Sequence, residues 1–180
     1  VYGFASRRVN QTYENLDYLG ITDQVKIIFG DMTDHSSIAN AIKTSNPDEI
    51  YNLAAMSFVG LSWQEPIHTA NVDALGPLYL LEAVRAHAPE AKVYQASTSE
   101  MFGNTNFNKK GLIDFNSKFN PQSPYAVSKL SAHQLVKTYR ESYNLFACSG
   151  ILFNHESPIR GREFVTKKII ENLVNQKLND

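Results

Sequence analysis

The chain has 180 residues, 43% of them hydrophobic and 19% charged, with a formal net charge of −1. That composition suits one globular domain with a proper core and gives no electrostatic basis for binding nucleic acid or an anionic membrane. No apolar run approaches the roughly 18 residues of a membrane span. A lone cysteine, Cys148, excludes an internal disulfide and a Cys-rich zinc site, and the five histidines have no metal-ligand spacing, so no metal is expected.

Val1 to Ala5 reads as a short apolar strand ending in Ser6-Arg7-Arg8, without the layout of a secretory signal. Val25 to Phe29, bounded by Gly30-Asp31, is a second strand. Asp34 or Ser36 can start the next helix, with Ile38, Ala41 and Ile42 at helical spacing until Asn46-Pro47 stops it. Glu49 to Leu53 is a third strand running into Ala54-Ala55. A long helix is expected from about Pro66 to His87, carrying Val72, Leu75, Tyr79, Leu80 and Val84, with Gly76-Pro77 as a place for a kink. Lys92 to Ala96 is a fourth strand, and Gly103 to Asn120 a polar, Asn-rich loop. Ser123 to about Tyr143 is a helix, Leu145 to Leu152 a fifth strand, and Phe164 to Leu178 a last amphipathic helix. Cys148 lies in the apolar run Leu145 to Phe153, where an inert buried thiol is expected.

Strands alternating with helices predict βαβ units, hence an α/β fold with a doubly wound parallel sheet covered on both faces. Ligands bind such sheets at the carboxyl ends of the strands. Arg7 and Arg8 follow the first strand, Asp31 the second, Ala54 to Ser57 the third, Ser97 to Glu100 the fourth and Asn154-His155 the fifth. One pocket can collect all of them.

Within it, Ser123 suits a helix cap and Pro124 the first helical position. Tyr125 then falls in the first turn with Lys129 four residues on, on the same face. A phenol titrates near ~10; a nearby ammonium and the helix N-terminus both favour the phenolate, making a base for an alcohol proton. The plain alternative is a half-buried aromatic beside a solvated cation. Thr98 can hold a substrate hydroxyl near Tyr125, and Glu100 can act as general base and acid, or the two can form an ST-turn with a capping carboxylate. Arg7 and Arg8 suit the 2′-phosphate of NADP, or form a solvated basic turn. Asp31 can accept from an adenine amino group or cap the next helix. Ala54-Ala55 allows close approach of a cofactor, or tight packing.

Thr98-x-Glu100 followed by Tyr125-x-x-x-Lys129 resembles the extended short-chain dehydrogenase/reductases that act on nucleotide sugars. Pro47 to Ala55, Gln95 to Glu100, Ser123 to Lys129 and Gly150 to Pro158, continuing through Arg160-Gly161 and Phe164-Val165-Thr166, resemble the GDP-mannose 4,6-dehydratases among them. Ser99, where dTDP-glucose dehydratases have Asp, and Asn154 to Pro158 favour GDP-mannose as the substrate. The resemblance implies Thr98, Glu100, Tyr125 and Lys129 as catalytic residues. It implies an NADP site lined by Arg7, Arg8, Asp31, Met32, Leu53, Ala54, Ala55, Ser57, Lys129, His155 and Arg160, with Asn154, Val165 and Lys168 facing the GDP-sugar. It also implies a homo-oligomer, dimer or tetramer, when complete; the cytoplasmic location is expected from the composition and the lack of a signal layout. Its nearest alternatives are an epimerase or 4-keto reductase of the same family, or a non-catalytic nucleotide-sugar-binding relative.

The sequence begins without Met, inside a strand. The expectation is therefore a fragment lacking the family's first strand and Gly-rich phosphate loop. Residues 1–180 would form a single NADP-binding Rossmann-like domain, with the substrate-binding part beginning near residue 154. Alone it should bind NADP poorly and not turn over.

Overall fold

The computed structural model describes residues 1–6, 13–104, 112–114, 116–162 and 164–179. Arg7 and Arg8, and part of the Asn-rich loop, lie outside the described residues. β1 (Tyr2–Ala5) pairs with β2 (Lys26–Phe29) in parallel, Tyr2 opposite Lys26 and Ala5 opposite Phe29. β3 (Glu49–Asn52), β4 (Lys92–Thr98) and β5 (Ala147–Leu152) form a second parallel sheet in that order. Parallel pairing throughout is what strand–helix alternation predicts, because each crossover must return the chain to the same end.

The intervening helices are α1 (Glu14–Leu19), α2 (His35–Ser45), α3 (Val59–Ser62), α4 (Pro66–Ala70), α5 (Gly76–His87), α6 (Pro124–Tyr143) and α7 (Val165–Asn179). Asp34 is the cap of α2, its carboxylate accepting the Ser36 N–H at 2.9 Å. α1 and α3 are short helices that the sequence pattern does not reveal. Ile38 and Ile42 of α2, Leu80, Leu81 and Val84 of α5, and Val136 and Tyr139 of α6 pack with Val93 and Ala147 of the sheet into one core. One layer of helices therefore covers one face of β3–β4–β5.

The other face is open over Tyr51, Tyr94 and Cys148, which sit side by side in register. This corrects the expectation of a buried thiol. In the run Leu145 to Phe153, strand alternation turns Leu145 and Ala147 inward, 3% and 2% exposed, and sends Phe146 and Cys148 outward. β1 and β3 face each other across a cleft of about 960 Å³, lined by apolar groups such as Phe4, Ile28, Ile38, Ile50 and Leu80. Among the described residues no strand joins the two sheets.

Two further differences shape the site. The helix expected from Pro66 to His87 is continuous, but residues Asn71–Leu75 form a π-helical turn. Pro77 has no N–H to give the carbonyl four residues back, that of Asp73, and the ladder slips by one there. The slip leaves Leu75 40% exposed rather than in the core. Strand β4 continues two residues beyond Ala96, because Ser97 and Thr98 pair with Ile151 and Leu152.

After β4 a short 3-10 turn, Ser99–Phe102, ends at Gly103 with φ +50°. A Cβ on Gly103 would lie 2.1 Å from the Asn120 carbonyl oxygen, and Asn120 N–H donates to Met101 at 2.9 Å. Gly103→Ala should therefore cost about 1–3 kcal/mol through backbone strain and this clash. Urea unfolding checks it; an unchanged midpoint would show that the turn relaxes without loss.

Candidate active site

α6 is built as its first residues dictate. The Ser123 hydroxyl accepts the Ala126 N–H at 3.1 Å, and Pro124 occupies the first turn. Tyr125 and Lys129 follow on the face turned to the sheet, 8% and 3% exposed. They enter a pocket of about 350 Å³ at the carboxyl ends of β3, β4 and β5. Thr98 lies at the end of β4, and its hydroxyl accepts the Glu100 N–H at 3.2 Å. Both the capping ST-turn and the pocket position are thus realised by the same residues. Glu100 is exposed and lines the pocket.

Among the residues singled out from sequence, Leu53, Ala55, Ser57, Thr98, Glu100, Tyr125, Lys129, Asn154, His155, Arg160 and Val165 line this one pocket. Ala54 and Met32 line the larger cleft between the sheets instead. That cleft is chiefly apolar, whereas the smaller pocket holds the hydroxyls, the carboxylate and the ammonium, so the chemistry belongs to the smaller one. Asp31 lies in neither; its carboxylate accepts the N–H and hydroxyl of Thr33 at 2.9 and 2.8 Å, closing the turn before α2. Lys168 is exposed on α7 and does not line the pocket. On the far wall, Arg160 donates to the His155 carbonyl, pairs with Glu156 at 3.3 Å and stacks 3.9 Å from the Phe164 ring.

The electrostatics of the pair run against the sequence expectation. Burial raises the Tyr125 phenol above its ordinary value; the hydrogen bond with Thr98 pulls it down, and the charges of Asp73 and Glu100 push it further up. Burial lowers Lys129, and Asp73 partly restores it. In a desolvated site the cost of the charged form outweighs proximity and helix dipole.

Asp73 is the residue that sequence reasoning missed. It is 1% exposed, and its carboxyl is pushed up to about 6 by burial, opposed by the Met56 N–H and the charges of Lys129 and His68. Its Oδ1 accepts the Met56 N–H at 2.8 Å. The available signal was an acid inside the apolar run Val72-Asp73-Ala74-Leu75, just before Gly-Pro. Elsewhere in the buried interior the Asn52 side-chain amide donates to Gln95 at 2.7 Å, and Ser97 Oγ lies 3.1 Å from His133 Nδ1.

A parallel α/β sheet with a capped Tyr-x-x-x-Lys helix at its carboxyl edge defines the architecture of the extended short-chain dehydrogenase/reductases. The chain belongs to the GDP-mannose 4,6 dehydratase family, whose model matches residues 1–180. It is 45% identical over 176 residues to GDP-mannose 4,6-dehydratase of Vibrio cholerae, covering 96% of this chain and 45% of that protein. It is 47% identical over 171 residues to GDP-mannose 4,6 dehydratase 2 of Arabidopsis thaliana, covering 92% and 44%. The chain thus spans less than half the length of these relatives. In fold it resembles a dTDP-glucose 4,6-dehydratase from Streptomyces venezuelae solved with NAD, with TM-score 0.85 at 23% identity over 98% of this chain and 53% of that one.

A raised carboxyl has a definite stability signature. Above its unfolded value of 3.8 and through about 6, Asp73 must ionise inside the protein, so its contribution to stability is full below pH 3.8 and lost as pH rises through 6. Asp73→Asn removes that loss. The difference in Tm between variant and parent should therefore grow in the variant's favour from pH 4 to pH 7. A difference that stays flat across this range would show that Asp73 ionises as readily folded as unfolded.

Proposed function

We propose that the full-length protein is a GDP-mannose 4,6-dehydratase, converting GDP-mannose to GDP-4-keto-6-deoxymannose with loss of water. One observation carries the reading: Glu100 lines the same pocket as Thr98, Tyr125 and Lys129. Epimerisation at C4 needs only a base for the C4 hydroxyl. Loss of water across C5 and C6 needs an acid/base as well, and Glu100 is placed to be one.

The pocket's donors suit a nicotinamide dinucleotide: the Lys129 ammonium, the Ser57 hydroxyl, His155 and Arg160 line it together with the small side chain of Ala55. Leu53 shares this wall, Ala54 and Met32 line the larger cleft beside it, and Asp31 and Arg7-Arg8 follow β2 and β1 in sequence. The two arginines favour NADP over NAD, since cations match a 2′-phosphate. Bound there, the cofactor would accept a hydride early in the cycle and return it late, so none is consumed. A relative in fold, the RMD protein of Pseudomonas aeruginosa, was solved with NADPH.

The side chains divide the proton work. Tyr125 takes the proton of the C4 hydroxyl, with Thr98 orienting that oxygen. Lys129 supplies the positive charge that favours the Tyr125 phenolate before this transfer, which turns it into the phenol. Once C4 is a ketone the C5–H bond is acidified, and Glu100 removes that proton and delivers one to the departing C6 hydroxyl. Asn154 and Val165 at the outer wall, and Lys168 beyond it, would meet the GDP-sugar.

No helix among the described residues is long and apolar enough to cross a membrane. The apolar side chains exposed on α7, among them Ile169, Ile170, Leu173 and Val174, suit contact with further chain or with a second subunit, in keeping with a dimer or tetramer. Residues 1–180 by themselves are expected to bind NADP weakly and not to turn over.

The test uses the full-length enzyme with GDP-mannose and catalytic NADP+, followed by mass spectrometry. Loss of one water without net NADPH is the expected result; an unchanged mass, or an epimerised sugar, would overturn the reading. Glu100→Gln should retain cofactor binding and lose dehydration by about 10²–10⁴-fold. Dehydration at the parental rate would remove Glu100 from the mechanism.

A further inference from the structure

Ser97 and His133 form a contact that the proton work above leaves unused. Ser97 is 4% exposed and immediately precedes Thr98 on β4. His133 is half-buried on α6, one helical turn beyond Lys129 and two beyond Tyr125, hence on the same helical face. It does not line the pocket. Its Nδ1 lies 3.1 Å from Ser97 Oγ, and Ser97 Oγ lies 3.4 Å from Met101 Sδ in the turn that follows β4.

Burial, and then the charge of Arg140, hold the His133 imidazole below its ordinary value. The ring is therefore neutral at pH 7, with one nitrogen donating and the other accepting. Either Ser97 donates to Nδ1, or Nδ1–H donates to Ser97 and the hydroxyl turns to the weaker sulfur acceptor of Met101. In both tautomers the end of β4 is bonded to α6. The imidazole is also packed in place: Phe119 meets it in a T-shaped arrangement at 5.5 Å between centroids, and reaches Phe102 at 5.3 Å. Packing alone would be met by an apolar ring, without setting a nitrogen against a buried hydroxyl.

We propose, resting on the dehydratase reading, that His133 is a positioning residue: by bonding Ser97 it fixes the end of β4, and with it the Thr98 hydroxyl, against the helix that carries Tyr125. α6 packs on both β4 and the turn after it. Ser97 and Thr98 share a peptide, so a displacement of one backbone is passed to the other. Thr98 is the neighbour whose hydrogen bond pulls the Tyr125 phenol down. A looser end of β4 weakens that bond, and the phenol then rises.

The experiment is a ¹³Cζ-tyrosine NMR titration of the full-length holoenzyme without sugar, with the Tyr125 resonance assigned by its loss in Tyr125→Phe. His133→Phe keeps a ring against Phe119 and removes the nitrogen, whereas Ser97→Ala removes the hydroxyl. In each, the Tyr125 titration should move up by about half a pH unit. The double variant should move no further than either single one, since both remove the same bond. A residue that only packs would lower Tm and leave the Tyr125 titration in place. A titration unmoved in either single variant, or shifts that add in the double variant, overturns the proposal; Ser97→Ala decides it alone if His133→Phe does not fold. With GDP-mannose, kcat in both variants should fall about tenfold at unchanged KM, and a parental kcat beside a shifted titration overturns the positioning role. If the parent itself returns GDP-mannose unchanged, the activity is overturned, and the titration still decides whether His133 sets Thr98 against Tyr125.

Discussion

Every strand pair among the described residues is parallel, and β4 is the strand through which β3 and β5 are held together. Parallel pairing forces all carboxyl ends to one edge, and each crossover helix must then restart from the opposite edge. The side chains that follow the strands are therefore delivered to a common rim regardless of their distance in sequence. Thr98 and Asn154 are far apart along the chain and share one pocket for this reason. The extension of β4 by Ser97 and Thr98 fixes the Thr98 hydroxyl on a paired strand rather than on a free turn. That placement is more rigid than a loop would give.

The second theme is the balance between burial and charge. The Tyr125–Lys129 pair would act in water as proximity and helix dipole suggest. Inside the pocket, desolvation dominates both groups: it raises the phenol and lowers the ammonium. The Thr98 hydrogen bond then pulls the phenol down, while the charge of Asp73 pushes it up and favours the charged form of Lys129. The protonation of both groups thus answers to neighbours outside α6.

The local steps were largely legible in sequence. Ser123-Pro124 opened α6 where the cap and the fixed proline φ said it would, and Asp34 capped α2. Glu49 to Asn52 and Lys92 onward were recognisable as β-branched or aromatic runs between breakers. Periodicity could not show that Cys148 faces out: a short apolar run gives no sign of which face is covered, and neighbouring elements decide that. Nor could it show that Leu75 leaves the core, since that depends on the slip caused by Pro77. The short helices α1 and α3 carry too few residues for any period to register.

By itself, then, the chain determined its caps, its strands and the alternation that makes the sheet parallel, because each depends on interactions within a few residues. It also determined which chemical groups stand at strand ends. Tertiary structure alone decided which of those groups meet. It drew Ser57, Thr98, Glu100, Tyr125, Lys129 and His155 into one pocket and left Asp31 and Lys168 outside it. It also buried Asp73 of the π turn and Lys129 of α6, two elements that pack on each other.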